Sequence, residues 1–150
     1  MRATTKDLLL VCIQLLLFIV YSIDFDWPLG FCYWLKIVGL SISIVGLLVA
    51  ILAILQLNKN LSPFPTPKDH SVLLQNGLFK LVRHPIYTGL IFLFFGYSIY
   101  QDSKYKLIIT LLLLILFHFK TQYEEQQLQI KFPEYKTYKT KTGKFFPKWF

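Results

Sequence analysis

Five ionisable side chains flank two apolar runs in the second half of the chain and could together form a polar site. They are Arg83, His84, Lys120, Glu124 and Glu125. Ionisable groups at membrane depth are costly, so they are candidates for function. If the apolar runs at 86–100 and 107–119 pair as a helical hairpin, these side chains emerge at the same membrane edge. Each also has a structural explanation, as a topology anchor, an interfacial residue or a surface ion pair, and spacing alone favours that explanation.

The composition indicates that the apolar runs lie in a lipid bilayer. Hydrophobic residues make up 55% of the 150 residues and charged residues only 16%, which is too apolar for an ordinary soluble fold. The runs at 8–23 and 37–57 contain no charge, and a helix needs roughly 20 apolar residues to cross the hydrocarbon core. Together with the shorter hairpin, they predict an all-α integral membrane protein with about four transmembrane helices.

The last helix is expected to continue beyond its apolar part. It can extend through the glutamates to about Lys131, before Pro133 stops it, and this extension would be cytosolic. Pro85 suits the first turn of the preceding helix. The connection at 58–83 contains closely spaced prolines, whose fixed φ favours an extended path along the membrane surface. These prolines are Pro63, Pro65 and Pro67.

The net charge of +8 could suggest a nucleic-acid partner, but its distribution favours a membrane. Most Lys and Arg residues lie before the first span, in the second connection and in the tail, whereas Lys104 and Lys106 are exceptions. If both termini face the cytoplasm, this is the positive-inside bias. We therefore expect a multi-pass protein of a bacterial inner membrane or the endoplasmic reticulum, without a nucleic-acid partner. No small-residue cleavage pattern follows the first helix, so we expect it to stay uncleaved.

Two blocks of the sequence resemble a known family. The segment from Asn76 to Gly89 is similar to the signature Gly-x-Tyr-x-x-x-Arg-His-Pro-x-Tyr-x-Gly of the isoprenylcysteine carboxyl methyltransferase family and its bacterial relatives, which also resembles phospholipid methyltransferases. The second block resembles the family's Glu-Glu-x-x-Leu, Phe-Gly-x-x-Tyr-x-x-Tyr and closing Phe-Pro pattern. Its residues are Glu124, Glu125, Leu128, Phe132, Glu134, Tyr135, Tyr138 and Pro147.

The resemblance implies a methyl transfer from S-adenosylmethionine to a lipid-like acceptor, with the cofactor at the cytoplasmic edge. It implies that Glu124, or else Glu125, fixes the cofactor, and that Arg83 and Lys120 orient the acceptor or shape the field near it. The other implied cofactor contacts are Ser71, Val72, Leu73, Leu74, Phe79, His84, Pro85, Ile86 and Tyr87. The domain would be single, with two N-terminal spans in 1–57 and the cofactor-binding half in 58–150.

The sequence departs from the family pattern at three of these positions. Phe79 stands where the family usually has Tyr, so stacking survives and the phenolic hydrogen bond is lost. Lys120 stands where an Arg is implicated in substrate handling, and an ammonium cannot repeat a bidentate guanidinium contact. Pro133 replaces a Gly.

Other functions and acceptors stay open at this point. A membrane reductase of the sterol-reductase type shares a similar motif and uses NADPH, but it commonly has Asn where this chain has Ile86. A small non-enzymatic scaffold is the third possibility. The acceptor can be a prenylated cysteine carboxylate, a phospholipid amine or another lipid, and the oligomeric state is not indicated. Cys12 and Cys32 have no metal-ligand spacing, so no metal site is expected.

Overall fold

The computed structural model describes residues 4–67 and 70–148, and these form helices joined by short connections. The six α-helices are α1 (Thr5–Ser22), α2 (Tyr33–Leu57), α3 (Leu78–Leu81), α4 (Pro85–Tyr100), α5 (Lys104–Lys131) and α6 (Tyr135–Lys141). A 3-10 turn at Asn58–Asn60 follows α2. Within the described ranges the extended backbone makes only two isolated bridges and no strand. The predicted all-α class is therefore confirmed.

Three helices are long and apolar enough to cross a membrane, namely α1, α2 and α5. The fourth apolar helix, α4, has 16 residues and is shorter than a full span. A helix of 28 residues such as α5 is about 42 Å long, whereas the hydrocarbon core is about 30 Å thick. One end of α5 therefore extends beyond the bilayer, as the sequence predicts. Ser103 begins this helix by accepting a hydrogen bond from the Lys106 N–H.

Small residues let α2 and α4 pack with their backbones almost in contact. The small buried residues of α2 recur at alternating spacings of four and three: Gly39, Ser43, Gly46, Ala50 and Ala53. A Cβ on Gly46 would lie 2.7 Å from the carbonyl oxygen of Gly89 in α4, and one on Gly39 would lie 2.8 Å from that of Gly96. Inside a bilayer the hydrophobic effect does not drive helices together, so this close van der Waals packing stabilises the α2–α4 pair.

The remaining helices complete the bundle around α4 and α5. Helix α4 packs against α2 on one side and α5 on another, while α1 runs along α5. Near the end of α1, the Tyr21 hydroxyl donates to the Phe94 carbonyl at 2.8 Å and also contacts Ser98. The Asp102 carboxylate, in the turn between α4 and α5, accepts the backbone N–H groups of Leu29 and Phe31. The first connection is thereby attached to the hairpin turn.

Candidate active site at the open end of the hairpin

A cavity lies where α2 and α5 end and α4 begins. It is bounded by the connection 61–77, which we call the strap, and by the C-terminal segment that includes α6. Its lining residues are Leu57, Asn60, Ser62, Phe64, Pro65, Pro67, Ser71, Val72, Leu73, Leu74, Phe79, Arg83, His84, Pro85, Ile86, Tyr87, Glu124, Leu128, Phe132, Tyr135 and Tyr138. The strap residues that line the cavity are largely apolar, whereas the charged side chains come from α5 and the segment between α3 and α4.

Side chains from the spanning helices hold the strap across the cavity. Thr66 donates from its hydroxyl to the Asp7 carboxylate of α1 at 2.6 Å. Farther along the strap, the Lys131 ammonium at the end of α5 donates to the Ser71 hydroxyl at 2.8 Å. Because these contacts reach two different helices, the strap is positioned by the membrane bundle rather than by its own residues.

The end of α2 and the 3-10 turn after it hold the second half of the strap in place. The Asn60 side-chain amide both donates to the Val72 carbonyl at 3.0 Å and accepts the Val72 N–H at 3.2 Å. The Gln56 side chain accepts the Leu78 N–H at 3.0 Å. Gly77, with a φ of +58°, lies directly against that Gln56 amide, so a side chain here would be strained and would also clash.

Glu125 is the centre of a buried ion cluster that joins three parts of the chain. Its Oε1 accepts a hydrogen bond from Arg83 Nε at 2.9 Å and lies 3.2 Å from His84 Nε2, while its Oε2 pairs with Lys139 Nζ at 2.8 Å. The Arg83 Nη1 group also donates to the backbone carbonyls of Lys139 and Thr142. This cluster holds the C-terminal segment against the start of α4.

Backbone hydrogen bonds complete the closure of the C-terminal segment. The N–H groups of Arg83 and His84 donate to the carbonyls of Gly143 at 2.9 Å and Lys144 at 3.2 Å. The Thr88 hydroxyl of α4 donates to the Phe145 carbonyl at 2.9 Å. These bonds hold the C-terminal segment against the start of α4, and its helix α6 contributes Tyr135 and Tyr138 to the cavity wall.

Glu124 differs from its neighbour because it faces the cavity. Its Oε2 lies 3.8 Å from His84 Nδ1 and is a buried oxygen without a hydrogen-bond partner among the described residues. Tyr87 and His84 line the cavity beside it. Glu125 is not among the lining residues, so only one of the two carboxylates that the sequence left as alternatives faces the cavity, and which of them fixes a cofactor stays a prediction.

Lys120 lies behind Tyr87, away from the lining of the cavity. Its side chain is only 2% exposed, and its ammonium donates to the Gln14 side chain of α1 at 2.5 Å. The same ammonium lies 5.6 Å from the centre of the Tyr87 ring. Tyr87 thus lies between the cavity and a half-buried polar pair that joins α1 and α5.

Most of the site residues expected from the sequence therefore come together at one cavity. Arg83 and all the expected cofactor contacts except Glu125 line it, whereas Glu125 and Lys120 lie outside the lining. The sequence does not predict the contributions of Leu57, Asn60, Ser62, Phe64, Pro65 and Pro67. Leu128, Phe132, Tyr135 and Tyr138 belong to the second block of the family pattern, which is the signal that could place them here.

The comparisons with known proteins agree with the resemblance in the sequence. Residues 34–135 match the model of a family described as phospholipid methyltransferase. This match covers about two thirds of the chain and includes every lining residue except Tyr138. No curated protein matches the chain.

Proposed function

Since the chain belongs to the phospholipid methyltransferase family, a family of membrane methyltransferases, we propose that it transfers a methyl group from S-adenosylmethionine to an acceptor dissolved in the membrane. When bound, the cofactor supplies a methyl carbon already activated by a sulfonium. The protein must bind the cofactor, align the acceptor with the methyl carbon and exclude water from both. Holding two reactants in a reactive geometry can contribute on the order of 7–11 kcal/mol to lowering a barrier.

The observation that carries this proposal is the meeting of His84, Tyr87 and Glu124 at one cavity. The Glu124 Oε2 has His84 at ion-pair distance but no hydrogen bond among the described residues, which is costly for a buried carboxylate oxygen, and a cationic ligand would supply the missing hydrogen bond. The strap offers apolar side chains to a flat heterocycle through Val72, Leu73 and Leu74. The chemistry of this donor set fits a molecule with an aromatic base at one end and charged groups at the other.

We propose that the acceptor enters past Tyr87 from the side of α1 and α5, so that its reacting atom reaches the cavity. Lys120 and Gln14 form a half-buried polar pair between these two spanning helices, where a lipid headgroup can arrive from the bilayer. Lys120 would orient that headgroup. Arg83 would shape the field around the site, since Glu125 and two backbone carbonyls hold its Nε and Nη1 groups in place. The family description favours a phospholipid-type acceptor over a prenylcysteine carboxylate.

Binding of labelled S-adenosylmethionine to the detergent-solubilised protein tests the cofactor assignment. We expect His84→Ala and Glu124→Gln each to lose at least about tenfold in affinity, since hydrogen bonds to charged groups contribute about 1.5–3 kcal/mol. Gln126→Ala, an exposed position on the same helix, is the matched control. Both substituted proteins binding as tightly as the wild type, with their folds retained, would refute the assignment. A nicotinamide dinucleotide measured in parallel separates this function from that of a reductase.

A further inference from the structure

Tyr135 and Tyr138 are neighbouring aromatic residues of α6 in equivalent positions at the cavity. Both line it, they are 1% and 5% exposed, and their ring centres are 5.7 Å apart. Their hydroxyls differ, however. The Tyr138 hydroxyl donates to the Phe79 carbonyl, whereas the Tyr135 hydroxyl is buried without a hydrogen-bond partner among the described residues.

Unpartnered buried polar atoms are few in this protein and concentrate at the cavity. In the described part of the chain the side-chain atoms of this kind are Asp7 Oδ1, Glu124 Oε2 and Tyr135 Oη, and the last two belong to residues that line the cavity. A buried hydroxyl left without a partner costs free energy. A group in a cavity wall can recover that free energy only from what fills the cavity.

The surroundings of Tyr135 define which partner it can take. Burial, together with the negative charge of Glu125, holds the pKa of Tyr135 well above its ordinary value, so its hydroxyl stays protonated and can donate. Arg83 is the cation that acts on this hydroxyl, while the carboxylates of Glu125 and Glu124 act on it in the opposite sense, so the hydroxyl is suited to donate to an acceptor that brings its own positive charge beside it. Glu124 offers the opposite function, because a carboxylate oxygen can only accept.

We propose that Tyr135 donates a hydrogen bond to the carboxylate of the ligand's α-amino acid group, while Glu124 accepts from its ammonium. This inference rests on the proposed function, since S-adenosylmethionine carries such a group at one end. The nucleoside end would then lie against the apolar strap, at Val72, Leu73 and Leu74. Tyr135 is therefore a ligand-binding residue, whereas the hydroxyl of Tyr138 holds α6 to α3.

Two substitutions that each remove one hydroxyl test these different roles of Tyr135 and Tyr138. The probes are S-adenosylhomocysteine, which has the amino acid group, and 5′-methylthioadenosine, which lacks it. We expect Tyr135→Phe to weaken binding of S-adenosylhomocysteine about tenfold, with unchanged binding of 5′-methylthioadenosine and no loss in the melting temperature of the ligand-free protein. We expect the matched Tyr138→Phe to lower that melting temperature and to leave the ratio of the two affinities unchanged. Glu124→Gln should change the same ratio in the direction of Tyr135→Phe.

The possible results separate this inference from the function on which it rests. If the wild type binds S-adenosylhomocysteine and Tyr135→Phe binds it equally well, the role of Tyr135 is overturned. If Tyr135→Phe weakens both probes equally, its partner is in the nucleoside and the amino acid assignment is overturned. If the wild type binds neither S-adenosylmethionine nor its product, the proposed function fails, and this inference fails with it.

Discussion

Glu124 and Glu125 are consecutive residues of α5, and the helix turns their side chains about 100° apart. Glu125 meets Arg83 and Lys139, while Glu124 lines the cavity. The sequence alone predicts that neighbouring residues face different directions. It does not predict which of them faces the cavity, because that depends on where the distant C-terminal segment brings Lys139.

Lys120 provides a test of the acceptor side of the site. Lys120→Met keeps most of the aliphatic stem and removes the ammonium that binds Gln14. Because Lys120 is not among the lining residues of the cavity, we expect cofactor affinity to be unchanged. We expect methyl transfer to fall roughly 10–100-fold, which corresponds to the loss of one charged contact of about 1.5–3 kcal/mol. Initial rates at saturating cofactor and varied acceptor concentration measure this loss.

The control and the opposite outcome are equally specific. Lys104→Met removes an exposed ammonium at the far end of the same helix and should leave both quantities near those of the wild type. A Lys120→Met protein that loses cofactor affinity while keeping its kinetics toward the acceptor would place this ammonium at the cofactor instead.

The sequence predicts the helices more completely than it predicts the contacts between them. The apolar runs predict four helices within a few residues of α1, α2, α4 and α5, because a long apolar run has few alternatives in lipid. The seven residues of α6 have no apolar run that would predict a helix. This helix is stabilised instead by the burial of Tyr135 and Tyr138, which the local sequence does not show.

Hydropathy does not predict the packing of α2 on α4, because glycine and alanine add little to an apolar average. This close packing predicts that a larger side chain at the interface is destabilising. We expect Gly46→Leu to lower the free energy of unfolding by about 1–3 kcal/mol or more, because the Cβ of any larger residue would meet the Gly89 backbone. Gly46→Ala should have a smaller effect of the same sign. Thermal unfolding in detergent measures both.

A conservative substitution at a lipid-facing position controls for general effects of changing α2. Leu48 is 54% exposed, so Leu48→Ile should leave the melting temperature near that of the wild type. Equal melting temperatures for Gly46→Leu and this control would mean that the two backbones are not in contact.

At the scale of the whole molecule, the first and last described residues lie on the cavity side of the bundle. The Thr4 and Tyr123 hydroxyls are 3.3 Å apart, which places the start of α1 beside the emerging end of α5. The end of α2 and the start of α4 meet the same strap, through Gln56 and the residues after Gly77. Helices α1 and α2 therefore form one pair that leaves the cavity side and returns to it, and α4 and α5 form a second such pair.

The charge difference between the two edges predicts which side this is. The far edge holds as many carboxylates as ammonium groups: Asp24, Asp26 and Asp102 against Lys36, Lys104 and Lys106. At the cavity edge Lys6, Lys80, Arg83, Lys131 and the lysines of the tail outnumber the carboxylates Asp7, Glu124, Glu125 and Glu134. Since loops rich in Lys and Arg stay in the cytoplasm, we expect the cavity to open there, on the side where a polar cofactor is available.

Thiol labelling in a bacterial inner membrane tests this orientation with a cysteine that the chain already provides. Cys32 is exposed at the start of α2, on the far edge, so a membrane-impermeant maleimide should label it in intact spheroplasts. In a Cys32→Ser background, Lys136→Cys places a thiol on the exposed surface of α6, which should be labelled only after the membrane is permeabilised. Cys12 lies within α1, where a polar reagent in water does not reach it. Labelling of the α6 thiol in intact spheroplasts would place the cavity outside the cytoplasm. The cavity would then have no access to cytoplasmic S-adenosylmethionine, which would contradict the proposed methyl transfer.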